Sequence, residues 1–531
     1  MAAAHKPIGL VILLFLLLPS AAFLAQFDDI PRFGDLHDDS LYFVAAKSLA
    51  EGHGHRIESL PGEPSQTKYP PLYPLLLSIA WRVHPDFPEN LALAGWLSWL
   101  ALPVVLVQLA FVFPKLGFSP GRTWVLLALF ALNPYVILFS TQLLTELWYL
   151  ALVLAAMQLL ERGAGPPVSP LWIHAAGLVA GVAYLTRSAG LALFAAGALY
   201  LWIRRERKAV MYFVAAVAPF FIAWMAWVRL HQTPTNDPEL LYYLDYFRYQ
   251  LYAVPLRDLP VVLWKNLDGI LWGLGGLVLP KVTSSLFLKI LSEVIAIAMI
   301  AGVVRMLRRG HGLLFALFAV FSSLLLLVWH FPANERFMLP VFPLALAGLL
   351  VEAEHFVNML RAGLRHADRS QRVVAGGLMA FAGLLAAGVL GLQLYMGAAF
   401  LPDDARQHRA RKIDRLKGYG WIRANLPADS AMLALDDVVL YLYTGRRAMT
   451  RPMPPFLWYR EDSEGMVEWL SDNGSFARDR GLTAMEFAGA GVSLGLEDED
   501  RASVAKKLSQ NPDWALEFES GPVRIFRLAR P

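Results

Sequence analysis

Two adjacent carboxylates, Asp38 and Asp39, stand in the run Gly34-Asp35-Leu36-His37-Asp38-Asp39-Ser40-Leu41-Tyr42-Phe43. Neighbouring acids repel each other unless a cation or a proton lies between them. Such a pair suits removal of a proton from a hydroxyl or capture of a divalent cation. The structural account of the same residues is a cap on a helix that begins near Ser40 and ends at Gly52, since Asp caps helices well. Four more charges stand at the edges of apolar segments. Lys68 opens Lys68-Tyr69-Pro70-Pro71-Leu72-Tyr73-Pro74, and a compact ammonium there suits a phosphate, with snorkelling as its structural role. Glu146 lies in Thr145-Glu146-Leu147, Arg187 in Leu185-Thr186-Arg187 and Arg336 in Glu335-Arg336-Phe337-Met338-Leu339-Pro340. An acid at the boundary of an apolar segment is a functional candidate, whereas Arg336 has Glu335 beside it for a plain ion pair. Brought to one face, these groups fit an anionic lipid headgroup beside a base. His37, His53 and His55 show no metal-ligand spacing and read as polar loop residues.

The elements that must position these residues are set by composition. The chain has 531 residues, 56% hydrophobic and 17% charged, with mean hydropathy +0.46. Soluble domains carry about 25% charged residues, so the chain as a whole is not water-facing. Of its 90 Asp, Glu, Lys and Arg residues, 39 fall in the last 131 positions. A membrane-embedded part, 1–400, followed by a soluble α/β domain, 401–531, accounts for that asymmetry. A soluble enzyme, a disordered scaffold and a nucleic-acid binder are excluded. The absence of Cys excludes disulfides, thiolate catalysis and Cys-ligated metals.

Apolar runs of about 20 residues predict about eleven transmembrane helices: Ile8 to Ala25, then 91–113, 122–140, 146–161, 170–186, 189–203, 209–230, 284–304, 312–330, 337–353 and 373–399. The first run precedes Asp28-Asp29 without a convincing cleavage site and is expected to be an uncleaved helix. The basic segments 204–208, 305–309 and 361–372 then fall on one side, the cytoplasmic one by the positive-inside rule. For that parity to hold, Leu72 to Val83 must be re-entrant or interfacial, and Asp258 to Lys281 amphipathic and peripheral. The other side receives loops 26–71 and 231–283, the turn 330–336 and the C-terminal domain. In that domain helices are expected over 413–425 and 501–509, and strands over 431–435, 514–518 and 523–528. The fold class is thus a polytopic α-helical membrane protein with external interfacial helices and a small C-terminal α/β domain.

Asp38-Asp39 with Tyr42 resembles the Asp-Glu-x-x-Tyr type motif in the first external loop of the C-type, multi-span glycosyltransferases. That superfamily uses lipid-linked donors and includes the protein O-mannosyltransferases and lipid A aminoarabinose transferases. The Lys-Tyr-Pro-Pro-Leu-Tyr-Pro run, Thr-Glu-Leu at 145–147, Leu-Thr-Arg at 185–187 and Glu-Arg-Phe-Met-Leu-Pro at 335–340 follow in the family's order. The likeness spans roughly 8–360, and Tyr441-Leu442-Tyr443-Thr444-Gly445-Arg446 adds a family-like segment further on. The resemblance implies transfer of a sugar from a polyprenyl-phosphate donor to a glycan, lipid or protein hydroxyl, on the external face and with inversion. Asp38 would be the base and Glu146 the second acid, positioning acceptor or metal. Lys68, Arg187 and Arg336 would hold the donor phosphate, with Tyr42 and Tyr69 positioning the substrates. This chain has Asp39 where relatives often have Glu, which leaves open which acid is the base. It also leaves open whether a divalent metal joins Asp38, Asp39 and Glu146. The composition suits a bacterial inner membrane. A transporter or flippase of an anionic lipid-linked substrate is the alternative, though no internal repeat is visible and the charges gather at one face. A non-catalytic assembly or sensor protein is the third reading.

Overall fold

The computed structural model describes residues 6–281, 285–364, 369–488, 496 and 498–529. Each apolar run expected to span is helical in its described part. Among the described residues, length and composition alone qualify five helices to cross a membrane: Leu91–Lys115, Arg207–His231, Leu286–Arg308, Glu335–Leu364 and Ser370–Asn425. A sixth crossing is the pair Pro120–Ala131 and Pro134–Ser140, bent by 61°. The bend falls where Asn133 caps the second half, its side chain accepting from the amides of Tyr135 and Val136, and Pro134 cannot continue the first. Shorter apolar helices, Gly9–Ala25, Pro170–Thr186, Ser188–Ile203 and Leu313–Leu327, fill the bundle between them. Large apolar side chains such as Phe15, Leu171, Ile222, Ile297 and Leu384 point outward along these helices, which suits a hydrocarbon solvent rather than water.

One end of the bundle is basic. Lys115 pairs with Glu161, Arg122 with Glu354 and Arg305 with Glu352, while His311 packs on Gly117. The helix ends expected on one side thus meet at one end. The segments that carry the candidate site residues meet at the other.

Two expected peripheral segments are helices. Leu72–Val83 has 12 residues, too few to cross. Leu259–Gly276 lies under the 333–335 segment, where Gly269 and Gly273 leave room for no side chain: a Cβ on either would stand 2.7–2.8 Å from the backbone of Ala333 or Asn334. Its polar residues all find partners, Lys265 on Glu461, Asp268 on Lys289, and Asn266 on the carbonyls of Leu327 and Trp329.

The boundary expected at 400 falls inside one continuous helix, Ser370–Asn425, so the span and the extramembrane segment share a single rod. Beyond it lies a mixed five-stranded sheet of order β2-β1-β3-β5-β4. Its strands are β1 Ala431–Ala434, β2 Arg447–Met449, β3 Ala484–Ala488, β4 Trp514–Ser520 and β5 Val523–Leu528. β1 runs parallel to β2 and β3, while β5 runs antiparallel to β3 and β4. This part is not packed separately. Phe33, Tyr42, Ile57, Tyr69 and Leu77 share one buried apolar cluster with Ile422, Leu433, Val438, Met449 and Phe526, so loop 26–71, the helix after it and the sheet fold around a common core.

Candidate active site

The acidic first loop divides its work. Asp29 pairs with Lys412 and Arg409, Asp35 with His408, and Glu63 with Arg447, all from the C-terminal part of the chain. Glu51 and Glu58 gather Lys47 and His53. The oxygens and nitrogen of Glu51, His53 and Glu58 lie within 4.8 Å of one another, but the Lys47 ammonium already stands among them. Most of the loop's negative charge therefore docks this loop and closes its own turn.

Asp38 and Asp39 separate on the first turn of helix Asp38–Ala50. Asp39 is 1% exposed; its two oxygens accept from the amides of Gly34 at 2.8 Å and Ser40 at 2.9 Å. Burial pushes its carboxyl up to about 7, with Asp35 adding to the shift against those two bonds. Neither acid is the helix cap expected from sequence: His37 holds the N-cap position with no side-chain cap bond, and Asp39 instead ties the Gly34 turn to the start of the helix. Asp38 makes no cap. Its Oδ1 accepts from the Tyr69 hydroxyl at 2.5 Å, and its Oδ2 lies 2.8 Å from Arg336 Nη2. Burial would raise its carboxyl, but Arg336 and Lys68 overcome that and hold it down at about 2.

Arg336 bridges two acids. Its Nε donates to Glu146 Oε1 at 2.5 Å while Nη2 faces Asp38. Glu146 is fully buried and also receives Arg187 Nη1 at 2.8 Å, the same nitrogen reaching Thr145 Oγ1 at 2.7 Å. Local sequence explains these placements. Glu146 is the first residue of helix Glu146–Gly163, where the helix dipole favours an anion, and Arg187 follows the last turn of Pro170–Thr186, where it favours a cation. Arg336 sits in the short turn Glu335–Met338, which the Asn334 side chain caps.

Lys68 completes the group. It is 5% exposed, donates to the Tyr242 carbonyl at 2.6 Å, and lies 4.4–5.1 Å from the ring centres of Tyr242, Tyr246 and Tyr69. Burial lowers its ammonium to about 8, with Asp38 opposing. It does not snorkel. Tyr42 stacks edge-on against Tyr69 and Tyr73 beneath the cluster. Four separated segments therefore deliver two carboxylates, Asp38 and Glu146, and three cations, a net of one positive charge.

The metal set raised from sequence does not fit. A guanidinium lies between Asp38 and Glu146, and Asp39 faces backbone amides, so the three acids do not converge on one point. Sequence reasoning missed Tyr242, Tyr246 and Asp437, and placed His37 only among loop residues. Tyr242 and Tyr243 stand in the Pro238–Leu244 helix of the second external loop; paired tyrosines in an external loop were the available signal. The segment 441–446 proves to be a helix end, Gly445 stopping it at φ 70° and Arg446 donating to the carbonyls of Thr444 and Leu426.

No protein-family model matches the chain, and no curated protein sequence does. Solved structures do share its fold. ArnT from Cupriavidus metallidurans bound to undecaprenyl phosphate is similar over 99% of this chain and 98% of its own, with TM-score 0.52 at 14% identity. The archaeal oligosaccharyltransferase AglB from Archaeoglobus fulgidus, in complex with an inhibitory peptide and a dolichol-phosphate, is similar over 90% of this chain and 69% of its own, with TM-score 0.50 at 12% identity. The chain thus shares the overall fold of these two structures.

Proposed function

We propose that this chain is an integral-membrane glycosyltransferase that moves a sugar from a polyprenyl-phosphate donor to an acceptor hydroxyl, with inversion, at the membrane face opposite the basic end. The observation that carries this reading is the convergence of Asp38, Lys68, Glu146, Arg187 and Arg336 from separate segments into one buried, net-cationic cluster. By the positive-inside rule that face is extracytoplasmic, and the composition suits a bacterial inner membrane.

In the reaction the acceptor oxygen forms its bond to the anomeric carbon from the face opposite the phosphate. The carbon–oxygen bond to phosphate breaks, and both its electrons leave with the polyprenyl phosphate. The acceptor proton passes to Asp38. Lys68, Arg187 and Arg336 stabilise the charge that develops on the leaving phosphate. Glu146 holds the two arginines in register rather than touching the reacting atoms. Tyr69 holds the Asp38 carboxylate, and Tyr42 supports Tyr69.

At about 2, Asp38 is a weak base while Arg336 and Lys68 hold its charge. A donor phosphate shares those cations and raises the basicity of Asp38 once the substrate is in place. The test is incubation of membranes containing the protein with labelled polyprenyl-phosphate sugars. Labelled glycan, lipid or protein that depends on Asp38 supports the reading. An export of intact labelled lipid without transfer overturns it in favour of a transporter.

A further inference from the structure

The C-terminal part of the chain reaches the phosphate lysine through a line of buried side chains. Asp437, the fully buried first residue of helix Asp437–Thr444, uses both oxygens: Oδ1 lies 2.8 Å from His37 Nε2, and Oδ2 accepts from the Tyr243 hydroxyl at 2.7 Å. The other ring nitrogen of His37, Nδ1, lies 2.9 Å from the Tyr242 hydroxyl, and the two rings stack with centres 5.5 Å apart. Tyr242 ends the line, its carbonyl accepting from Lys68 Nζ and its ring lying 4.4 Å from that ammonium.

A carboxylate accepts only, so His37 carries a proton on Nε2, and in the neutral ring Nδ1 accepts from the Tyr242 hydroxyl. The backbone at His37 is held in the left-handed region, φ 59°, which a non-glycine residue keeps only where its surroundings over-determine it. Nothing in the transfer itself uses these three side chains. A docking contact alone needs no hydroxyl aimed at the second ring nitrogen.

We propose that Asp437 is a positioning residue for the donor phosphate, acting through His37 and Tyr242 to hold the Lys68 ammonium in place. This rests on the reading of Lys68 as a phosphate ligand. It gives the C-terminal domain a share in donor binding, besides its place over the first loop. Asn at position 437 is the informative change. It removes the carboxylate charge from His37, and where its amide donates to Nε2 the ring proton moves to Nδ1 and the Tyr242 hydroxyl must reverse from donor to acceptor.

The test titrates the full-length protein in nanodiscs with undecaprenyl phosphate. Asp437→Asn and Tyr242→Phe are each expected to weaken affinity about three- to tenfold, the range for one or two lost hydrogen bonds. The double variant should be no weaker than the worse single one, because both break the same line. Lys68→Ala should weaken affinity further, and adding Tyr242→Phe to it should change nothing. The relay is overturned if folded Tyr242→Phe binds like the wild type while Lys68→Ala does not, or if the two single losses multiply in the double variant. Tyr242→Phe keeps the ring and the backbone, so it decides the matter even where Asp437→Asn fails to fold. Wild-type affinity in Lys68→Ala would instead remove the phosphate reading of Lys68 itself.

Discussion

Replacing Asp38 by Asn separates catalysis from binding in a way the geometry makes specific. Asn keeps an oxygen for the Tyr69 hydroxyl. Arg336 loses its partner on Nη2 but keeps Glu146 on Nε, so the stability cost is about 1–3 kcal/mol, that of one charge-assisted bond. Turnover should fall by about two to four decades, the usual contribution of a general base. Donor-side affinity should move the other way. Removing one negative charge takes the cluster from a net of one positive charge to two. For charges about 6 Å apart at an effective dielectric of about 20, the repulsion relieved is about 3 kcal/mol. Screening to a third of that still leaves about fivefold tighter binding of undecaprenyl phosphate. The assay pairs initial transfer rates from labelled polyprenyl-phosphate sugars with a nanodisc titration. A variant that transfers at near wild-type rate would falsify the assignment of the base. A variant that loses transfer and phosphate affinity together would show that Asp38 organises the cations rather than taking a proton. Asp39→Asn is the control: its carboxylate serves two backbone amides, and it should remain active.

Three further outcomes are expected. Arg336→Lys keeps the charge but cannot reach Asp38 and Glu146 together, so the folded variant should bind undecaprenyl phosphate about tenfold more weakly in the same titration; unchanged affinity would leave Arg336 a structural bridge. Single cysteines are informative because the native chain has none: membrane-impermeant maleimide should label exposed His53→Cys and Ser463→Cys from one side and Lys208→Cys from the other, and opposite labelling of the first two would break the assigned topology. Glu486, 2% exposed on β3 with neither oxygen bonded, is raised by burial from 4.5 to about 7. It favours the fold below pH 4.5, and that contribution is lost as pH rises through about 7. Glu486→Gln should therefore flatten the fall in thermal stability between pH 5.5 and 8, a difference of up to about 2 kcal/mol; an unchanged profile would place the titration elsewhere.

Much of the site was legible because its charges stand in short motifs at the edges of apolar segments. Asp38, Lys68, Glu146, Arg187 and Arg336 stand out for that reason, and the Lys/Arg bias put them at one end before any coordinates were known. What sequence alone left open was which partner each group takes. Asp38 and Asp39 are indistinguishable as types, and only the turn at Gly34 shows that Asp39 faces backbone amides. The metal reading fell to Arg336, some three hundred residues away, which stands between the acids. In the C-terminal domain the longer strands β4 and β5 were readable, but three-residue β2 and fully buried β3 offer no alternation to detect. The boundary at 400 marked a real change in polarity inside an unbroken helix. Helix propensity does not register a change of solvent.

On the proposed transfer reaction, the arrangement of two acids and three cations also sets the timing of a catalytic cycle. Before transfer, a donor phosphodiester carries one negative charge and meets a net of one positive charge. After transfer, the freed phosphate gains a second negative charge while Asp38, having taken the proton, loses its own. The pocket then holds two net positive charges against two negative ones. The spent carrier is therefore gripped more tightly than the fresh one until Asp38 gives up its proton. Deprotonation of a single carboxyl becomes the latch on product exit, and the enzyme resets only when that proton finds its way to water.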